Sequence, residues 1–383
     1  MNTSNIGAFS GAFSKSNLET LVTAGRIEAL PGFDNKHIGP ASIDITVSNG
    51  EAYRVDRLMR PSGKRQEIVR DMLSALGAKR IDIGSTLEPG SKYIAKATIN
   101  VNFPPGFYAY NNAKSTSGRN MLLCRTLADS VEGYDTLDRH WQAWSGEVWL
   151  TFEPFVYPVI LSDQECYSQV RVFDGDTRFK EADLKAELLK QDLIYRQDGS
   201  RYKQGELGLA TGDGTVFTTL FAKAGKIIGF RARRTRKALD LTSRGIDPRE
   251  YFEPVYAEVD PSNLDGGLVT LEPGYFYLLS TNEMLHVPEH LCAELIGVNP
   301  RLGLYFSHFA GFFDPGFKGV PTLEVTCIIP TTIRHREAVA CFRYERMKSE
   351  TISYAQTGNY AGQRRTTLPK QFAMVKEWAD AMA

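Results

Sequence analysis

Leu87-Glu88-Pro89-Gly90 opens a stretch that runs on through Tyr93-Ile94-Ala95-Lys96-Ala97-Thr98-Ile99-Asn100-Val101 and closes at Pro104-Pro105-Gly106. Between two Pro-Gly turns, alternating apolar and polar residues over 93–101 predict a half-buried β-strand. The same opening recurs as Leu271-Glu272-Pro273-Gly274, 184 residues later. At that shift Pro104 meets Pro288, and Arg119-Asn120-Met121-Leu122 meets Arg301-Leu302-Gly303-Leu304 two residues out of step. More distantly, Ser42-Ile43-Asp44-Ile45 resembles Ala238-Leu239-Asp240-Leu241. A period this long excludes a solenoid, whose repeats span roughly 20–50 residues. Ordered matches at a nearly constant offset point to two copies of one β-domain. Short strands punctuated by Pro-Gly turns favour sandwiches or barrels over a βαβ fold.

The length of 383 residues suits two domains or one large one. The division expected is a first β-domain over 1–178, a helical connector over 179–224, a second β-domain over 225–349, and a tail with a C-terminal helix over 350–383. Helices are expected near 16–24, capped by Ser16 or Asn17, and near 66–76, 180–193 and 370–382. A hydrophobic content of 42% with 23% charged residues excludes disordered and collagen-like chains. Lys+Arg and Asp+Glu both number 45, so no global field draws the chain to nucleic acid or anionic membrane. Any polyanion it binds must be small and held in a local pocket. The basic run Arg231-Ala232-Arg233-Arg234-Thr235-Arg236-Lys237 lacks interleaved aromatics and fits a strand with a solvated face, or a subunit contact. No apolar run approaches the ~18 residues of a membrane span. The first residues show no charged-then-apolar leader, and five scattered cysteines read as reduced, so the expected compartment is cytoplasmic.

The copies differ where chemistry is to be expected. The first carries Lys114-Ser115-Thr116-Ser117-Gly118-Arg119 directly after a strand, either a set of donors for phosphate oxygens or a polar hairpin turn. The second has Gly297-Val298-Asn299-Pro300-Arg301 there, with Gly297 in place of Ser115 and only the arginine kept. The second copy instead carries His308-Phe309-Ala310-Gly311-Phe312-Phe313-Asp314-Pro315-Gly316-Phe317-Lys318-Gly319, then Thr322-Leu323-Glu324-Val325-Thr326. Alternation sets Thr322, Glu324 and Thr326 on one strand face, so Glu324 is either solvated or aimed into a site. Thr151 occupies the matching place in the first copy. His308 either lines a base pocket or packs. His286 and His290 lie four apart, but Pro288 between them argues against a helical metal pair. Zinc-dependent nucleobase deaminases combine His-x-Glu with Pro-Cys-x-x-Cys, and that pair does not occur.

Ala310-Gly311-x-x-Asp314-Pro315-Gly316-Phe317-x-Gly319 with Thr322-Leu323-Glu324 resembles the signature of dCTP deaminases of the trimeric dUTPase-like superfamily. Lys114-Ser115-Thr116-x-x-Arg119 is similar to that family's basic-Ser-Ser-x-x-Arg motif. Pro40-Ala41-Ser42-Ile43-Asp44-Ile45 resembles its N-terminal segment, and Tyr354 with Tyr360-Ala361-Gly362-Gln363-Arg364 its C-terminal tail. The resemblance implies a mainly β fold of two duplicated dUTPase-like barrel or sandwich domains with a few short helices. It implies zinc-independent hydrolysis of dCTP to dUTP and ammonia, supplying dUTP for dTTP synthesis, and Mg²⁺ arriving with the nucleotide. One composite site is implied, preferably closed within one chain. Glu324 would be the general base and acid, while Ser115, Arg119 and the Ala310 carbonyl hold the water and orient Glu324. Lys114, Thr116 and Gln363 would meet the triphosphate, Tyr354 and Tyr360 would cover the nucleotide, and Asp314 would hold its loop or reach the sugar. The implied partners are dCTP and dUTP, with a homo-oligomer possible, and neither nucleic acid nor membrane. Rival readings are a dUTPase, a bifunctional deaminase that also releases diphosphate, and a nucleotide-binding regulator without turnover.

Overall fold

The computed structural model describes residues 10–382 except 65, 66, 139–141, 204, 205, 208, 211, 212, 299–304, 308 and 357. Among the strands of the described residues, seven carry the part of the first copy that recurs in the second: β1 (Ile43–Ile45), β2 (Val47–Val55), β3 (Lys92–Phe103), β4 (Tyr108–Ala113), β5 (Leu122–Ala128), β6 (Trp144–Pro154) and β7 (Ser168–Phe173). Seven more carry the second: β8 (Thr215–Thr219), β9 (Ile227–Ala232), β10 (Tyr277–Ser280), β11 (Leu291–Gly297), β12 (Tyr305–Ser307), β13 (Thr322–Cys327) and β14 (Ala338–Arg346). In the first copy one sheet contains β2-β3-β6-β5 and another β1-β7-β4. The second copy repeats both orders as β9-β10-β13-β12 and β8-β14-β11. The duplication legible at the Leu-Glu-Pro-Gly turns therefore extends to the strand order of two sheets.

Those turns show why the copies fold alike. Gly90 and Gly274 hold φ of +75° and +79°, a conformation costly for any residue with a Cβ. Three residues on, the Tyr93 hydroxyl accepts the Glu88 N–H at 2.8 Å, and the Tyr277 hydroxyl accepts the Glu272 N–H at 2.9 Å. The same turn and the same anchor start β3 and β10. Register follows: Ile94 lies opposite Thr151, and Leu278 lies opposite Glu324. Thr151 is thus the structural counterpart of Glu324, as sequence alignment of the copies expects.

The copies share a core. Ile99, Val101 and Phe152 of the first lie in one buried cluster with Phe230, Phe252 and Leu278 of the second and Phe372 of the tail. A second cluster, including Leu279, Leu323, Val325 and Phe342, belongs to the second copy. Each such side chain contributes about 1.5–3 kcal/mol by burial, so the seam between the copies is part of the fold.

Among the described residues five α-helices accompany the strands: α1 (Lys15–Thr23), α2 (Val69–Met72), α3 (Ser115–Arg119), α4 (Glu181–Lys190) and α5 (Lys376–Met382). Ser14, not Ser16 or Asn17, caps α1, with its N–H donated to Asn17 Oδ1 at 3.2 Å. The helix expected at 66–76 is the single turn α2, and that at 370–382 starts only at Lys376. Tertiary bonds override helix propensity there: Gln371 is buried and donates to the Leu241 carbonyl at 2.7 Å. The expected helical connector over 179–224 is also corrected. Besides α4 it contains Ile194–Arg196, Leu209–Ala210 and β8, and β8 pairs with β14, so the second copy begins inside it.

The basic run forms the end of β9 and the following turn, where Arg231 and Arg233 pair with Glu253, and Lys237 with Glu250. His286 ends the strand Glu283–His286 rather than lying in a loop, 2.9 Å from the Asp192 carbonyl; His290 pairs with Glu187 of α4. His335-Arg336-Glu337 matches the His-x-Glu half of the zinc pattern alone, and His335 Nδ1 accepts the Ala222 N–H. Cys124, Cys292, Cys327 and Cys341 are buried free thiols. Among the described residues no helix is long and apolar enough to cross a membrane.

Candidate active site

β4 ends at Ala113 and the chain turns at once into α3, lifting Lys114 to Arg119 off the sheet at one point. Thr116, Ser117, Gly118 and Arg119 are buried. Ser117 Oγ donates to the Tyr167 carbonyl at 3.0 Å, and Asn120 Nδ2 donates to the Thr116 carbonyl at 2.7 Å and to Gln371 Oε1 at 3.1 Å. These bonds fix a five-residue helix too short to persist by itself.

From the second copy, β13 runs beneath α3 with Thr322, Leu323, Glu324 and Val325 all buried. The core covers one face of this strand, and α3 and its neighbours cover the other. Glycine at 118 leaves room for the carboxylate as it stands: a Cβ there would lie 2.2 Å from Glu324 Oε2. Glu324 is 2% exposed, and its Oε2 accepts the Phe309 and Ala310 N–H groups at 3.1 and 2.8 Å. Burial pushes its carboxyl up to about 8, against the opposing pull of Arg119 and the two amides. The Ala310 amide, rather than its carbonyl, is therefore the group that engages Glu324.

A cavity of about 370 Å³ lies where the copies meet. Lys114, Ser115, Thr116, Arg119, Ala310, Asp314, Glu324, Tyr354, Tyr360 and Gln363 all line it. The structure thus brings together, within one chain, all ten residues singled out from the sequence. His308 lies outside the described residues. The Arg119 guanidinium stacks 3.7 Å over the Tyr360 ring, donates to the Thr367 carbonyl at 2.9 Å and to its hydroxyl, and reaches Gln363 Oε1 at 3.4 Å. Gln363 Nε2 also donates to the Val320 carbonyl. Tyr354 packs on Phe317, and its hydroxyl accepts the Tyr360 N–H at 3.4 Å. Tyr354–Gln356 and residues 358–366 form a strap across the cavity, seated where the Thr366 hydroxyl bonds that of Thr322 at 3.1 Å.

Several contacts were not foreseen. Lys114 Nζ sits 2.7 and 2.8 Å from the two Asp44 oxygens; burial favours the neutral amine, but the Asp44 charge prevails and the ammonium is strengthened. Asp314 serves to hold its loop: Arg171 of β7, 0% exposed, bonds its Oδ1 at 2.9 Å, reaches the Ala293 and Phe313 carbonyls, and stacks 4.2 Å from the Phe312 ring. A first-copy arginine therefore fastens the second copy's Asp-Pro-Gly loop. The signal was a lone cation in the wholly buried strand Ser168–Phe173. Lys15 and Lys36 also line the cavity, and no motif pointed to them.

The counterpart positions differ. Thr151 is buried and donates to the Arg125 carbonyl at 3.3 Å, beside a separate cavity of about 300 Å³. β11 ends on Gly297 as β4 ends on Ala113, so the strand ends align Gly297 with Ala113 rather than with Ser115. Residues 299–304, where a second-copy counterpart of α3 would fall, lie outside the described residues.

Residues 9–176 match the family model for the 2'-deoxycytidine 5'-triphosphate deaminase N-terminal domain, and residues 182–372 match that for its C-terminal domain. A Corynebacterium glutamicum protein named "dCTP deaminase, dUMP-forming" is 30% identical over 178 residues, covering 37% of this chain and 94% of that protein. A Coprothermobacter proteolyticus protein of the same name is 32% identical over 123 residues, covering 31% of this chain and 65% of that protein. The crystal structure of 2'-deoxycytidine 5'-triphosphate deaminase from Agrobacterium tumefaciens shares the fold, with a TM-score of 0.79 and 23% identity over 91% of this chain and 99% of that one.

Proposed function

The chain belongs to the 2'-deoxycytidine 5'-triphosphate deaminase family, and on that premise we propose that it hydrolyses dCTP to dUTP and ammonia, without zinc, in the cavity between its copies. The observation that carries this reading is Glu324, a buried carboxyl held by two amides and facing α3 of the other copy. A carboxyl poised near 8 both accepts and returns protons close to neutrality, as a single group serving as base and then acid must. Glu324 takes a proton from the water that adds to cytosine C4 and passes it to N3. The water's second proton then goes to the departing amine, and the C4–N bond breaks to release ammonia. Ser115 and Arg119 line the same cavity and suit holding the water and keeping Glu324 aimed. Lys114, Thr116 and Gln363 suit the triphosphate, which brings its own Mg²⁺, an ion commonly held through substrate phosphates. Tyr354 and Tyr360 close over the nucleotide from the strap.

A second reading adds diphosphate release, because the relatives above are named as dUMP-forming. Incubation with dCTP and Mg²⁺, followed by ammonia and product analysis, separates the cases. Ammonia with dUTP supports the main reading, and ammonia with dUMP and diphosphate the second. Bound nucleotide without ammonia overturns both.

A further inference from the structure

Directly along the chain from Gln363, Arg364 and Arg365 leave the first cavity and line another of about 770 Å³, built on the second copy. Its acidic residues are already engaged. Glu206 pairs with Arg196 at 2.8 Å, and Asp198 accepts the Ser200 N–H in its own turn. Glu283 in the floor accepts the Thr218 hydroxyl and the Thr219 N–H, both at 2.7 Å. The cations are in excess. Lys223, Lys226, Arg336 and Arg364 line the same cavity, and none has a carboxylate within ion-pair distance among the described residues. Arg365 and Lys223 both approach the Phe221 ring, at 5.8 and 6.0 Å, which sets them on one wall.

Six cations (Arg196, Lys223, Lys226, Arg336, Arg364 and Arg365) against three carboxylates (Asp198, Glu206 and Glu283) line this one concavity, an excess of positive charge that an anion of several charges offsets. The chain is neutral overall, so this is a local feature rather than the edge of a basic surface. A concavity of this size suits a short, flexible, multiply charged anion better than a duplex backbone.

We infer that this second cavity binds a polyphosphate chain, free or as part of a nucleotide, and that filling it fastens the strap over the first cavity. The coupling runs through three consecutive residues. Gln363 is held on the first-cavity side by Arg119, by its own Nε2 donating to the Val320 carbonyl and by its carbonyl accepting the Val320 N–H, while Arg364 and Arg365 line the second. An anion gripping Arg364 restrains the strap in the closed position, and by linkage a nucleotide that closes the strap favours the anion in turn. This goes beyond the deaminase reading and does not require it, since it concerns binding alone.

Titration calorimetry of the full chain with inorganic tripolyphosphate, and separately with ATP, tests the inference in three proteins. These are the wild type, the exposed double variant Lys226→Glu/Arg336→Glu, and Lys114→Ala, which weakens the first cavity. Hydrogen exchange of residues 354–366 is followed alongside. The expected result is a tripolyphosphate site kept in Lys114→Ala and weakened about tenfold or more, roughly 1.4 kcal/mol, in the double variant. Strap exchange should slow on binding in Lys114→Ala and not in the double variant. Similar affinity for ATP shows that the chain alone is read, and tighter ATP binding marks a nucleotide source. Equal affinity of wild type and double variant, loss only in Lys114→Ala, or no binding of either ligand would overturn the inference.

Discussion

Replacing Glu324 by glutamine keeps the shape of the side chain and removes its titration, and the consequence can be read in stability as well as in turnover. In the unfolded chain the carboxyl ionises near 4.5, and in the folded chain burial moves it to about 8. Between those values the folded state holds a proton that the unfolded state has released, so wild-type stability falls as pH rises from 4.5 to 8. Below 4.5 the two states are protonated alike and nothing is lost. The interval, at about 1.4 kcal/mol per decade, sets a ceiling on the order of 5 kcal/mol above pH 8, and local relaxation brings the observable part to a few kcal/mol. Glu324→Gln escapes this loss. Urea unfolding of both proteins at about pH 5 and about pH 8 reads the difference, which isolates Glu324 because every other titrating group is common to the pair. The variant should gain on the wild type as pH rises. The kcat/KM of the wild type should climb along an acid limb toward pH 8, as a base ionising there requires. Parallel unfolding curves, or a wild type that gains on the variant with pH, would refute the idea that burial strains this carboxylate.

Three further outcomes follow from the same geometry. Gly118→Ala forces the Glu324 carboxylate aside, and a displacement of about 1 Å at a reacting group costs on the order of 10²-fold in rate; steady-state deamination assays should show this with the fold retained by circular dichroism. Thr151→Val removes a hydroxyl bonded to the Arg125 carbonyl, so denaturant unfolding should register about 1 kcal/mol while turnover stays near wild type. Exhaustive treatment with a zinc-selective chelator should leave ammonia release intact once Mg²⁺ is restored, and loss of turnover together with removal of stoichiometric zinc would count against the mechanism.

Much of this arrangement was legible because the Leu-Glu-Pro-Gly turn repeats at a fixed offset, and the matching tyrosines show why the offset holds. The Leu-Glu-Pro-Gly turns and the tyrosines three residues on start matching strands, and matching strands place Thr151 and Glu324 at matching register. The motif residues were found because each carries chemistry in its own side chain. What escaped was decided between distant segments. β8 lies within what reads as a helical connector, and its place is set by pairing with β14 and with Leu209–Ala210. Residues 370–375 have a helical pattern but are held in a turn and a bridge to Ile246 by bonds such as Gln371 to Leu241. Arg171 shows as one charge in an apolar strand, and its partner Asp314 lies in the other copy. The Ala310 N–H bond to Glu324 escaped too, because backbone direction in a loop is not written in residue types.

The account rests on one chain supplying both halves of one site, and ammonia release from dCTP by Ser115→Ala, by Glu324→Gln and by an equal mixture of the two after verified subunit exchange tests that most directly. Ser115 and Glu324 line the same cavity of a single chain, on opposite copies. Each variant should therefore be nearly inactive, by about 10²–10⁴-fold for the loss of the general base, and the mixture should stay as inactive as its parts. Substantial recovery on mixing would show the site assembled from two chains, and full activity in Glu324→Gln alone would remove Glu324 from the chemistry.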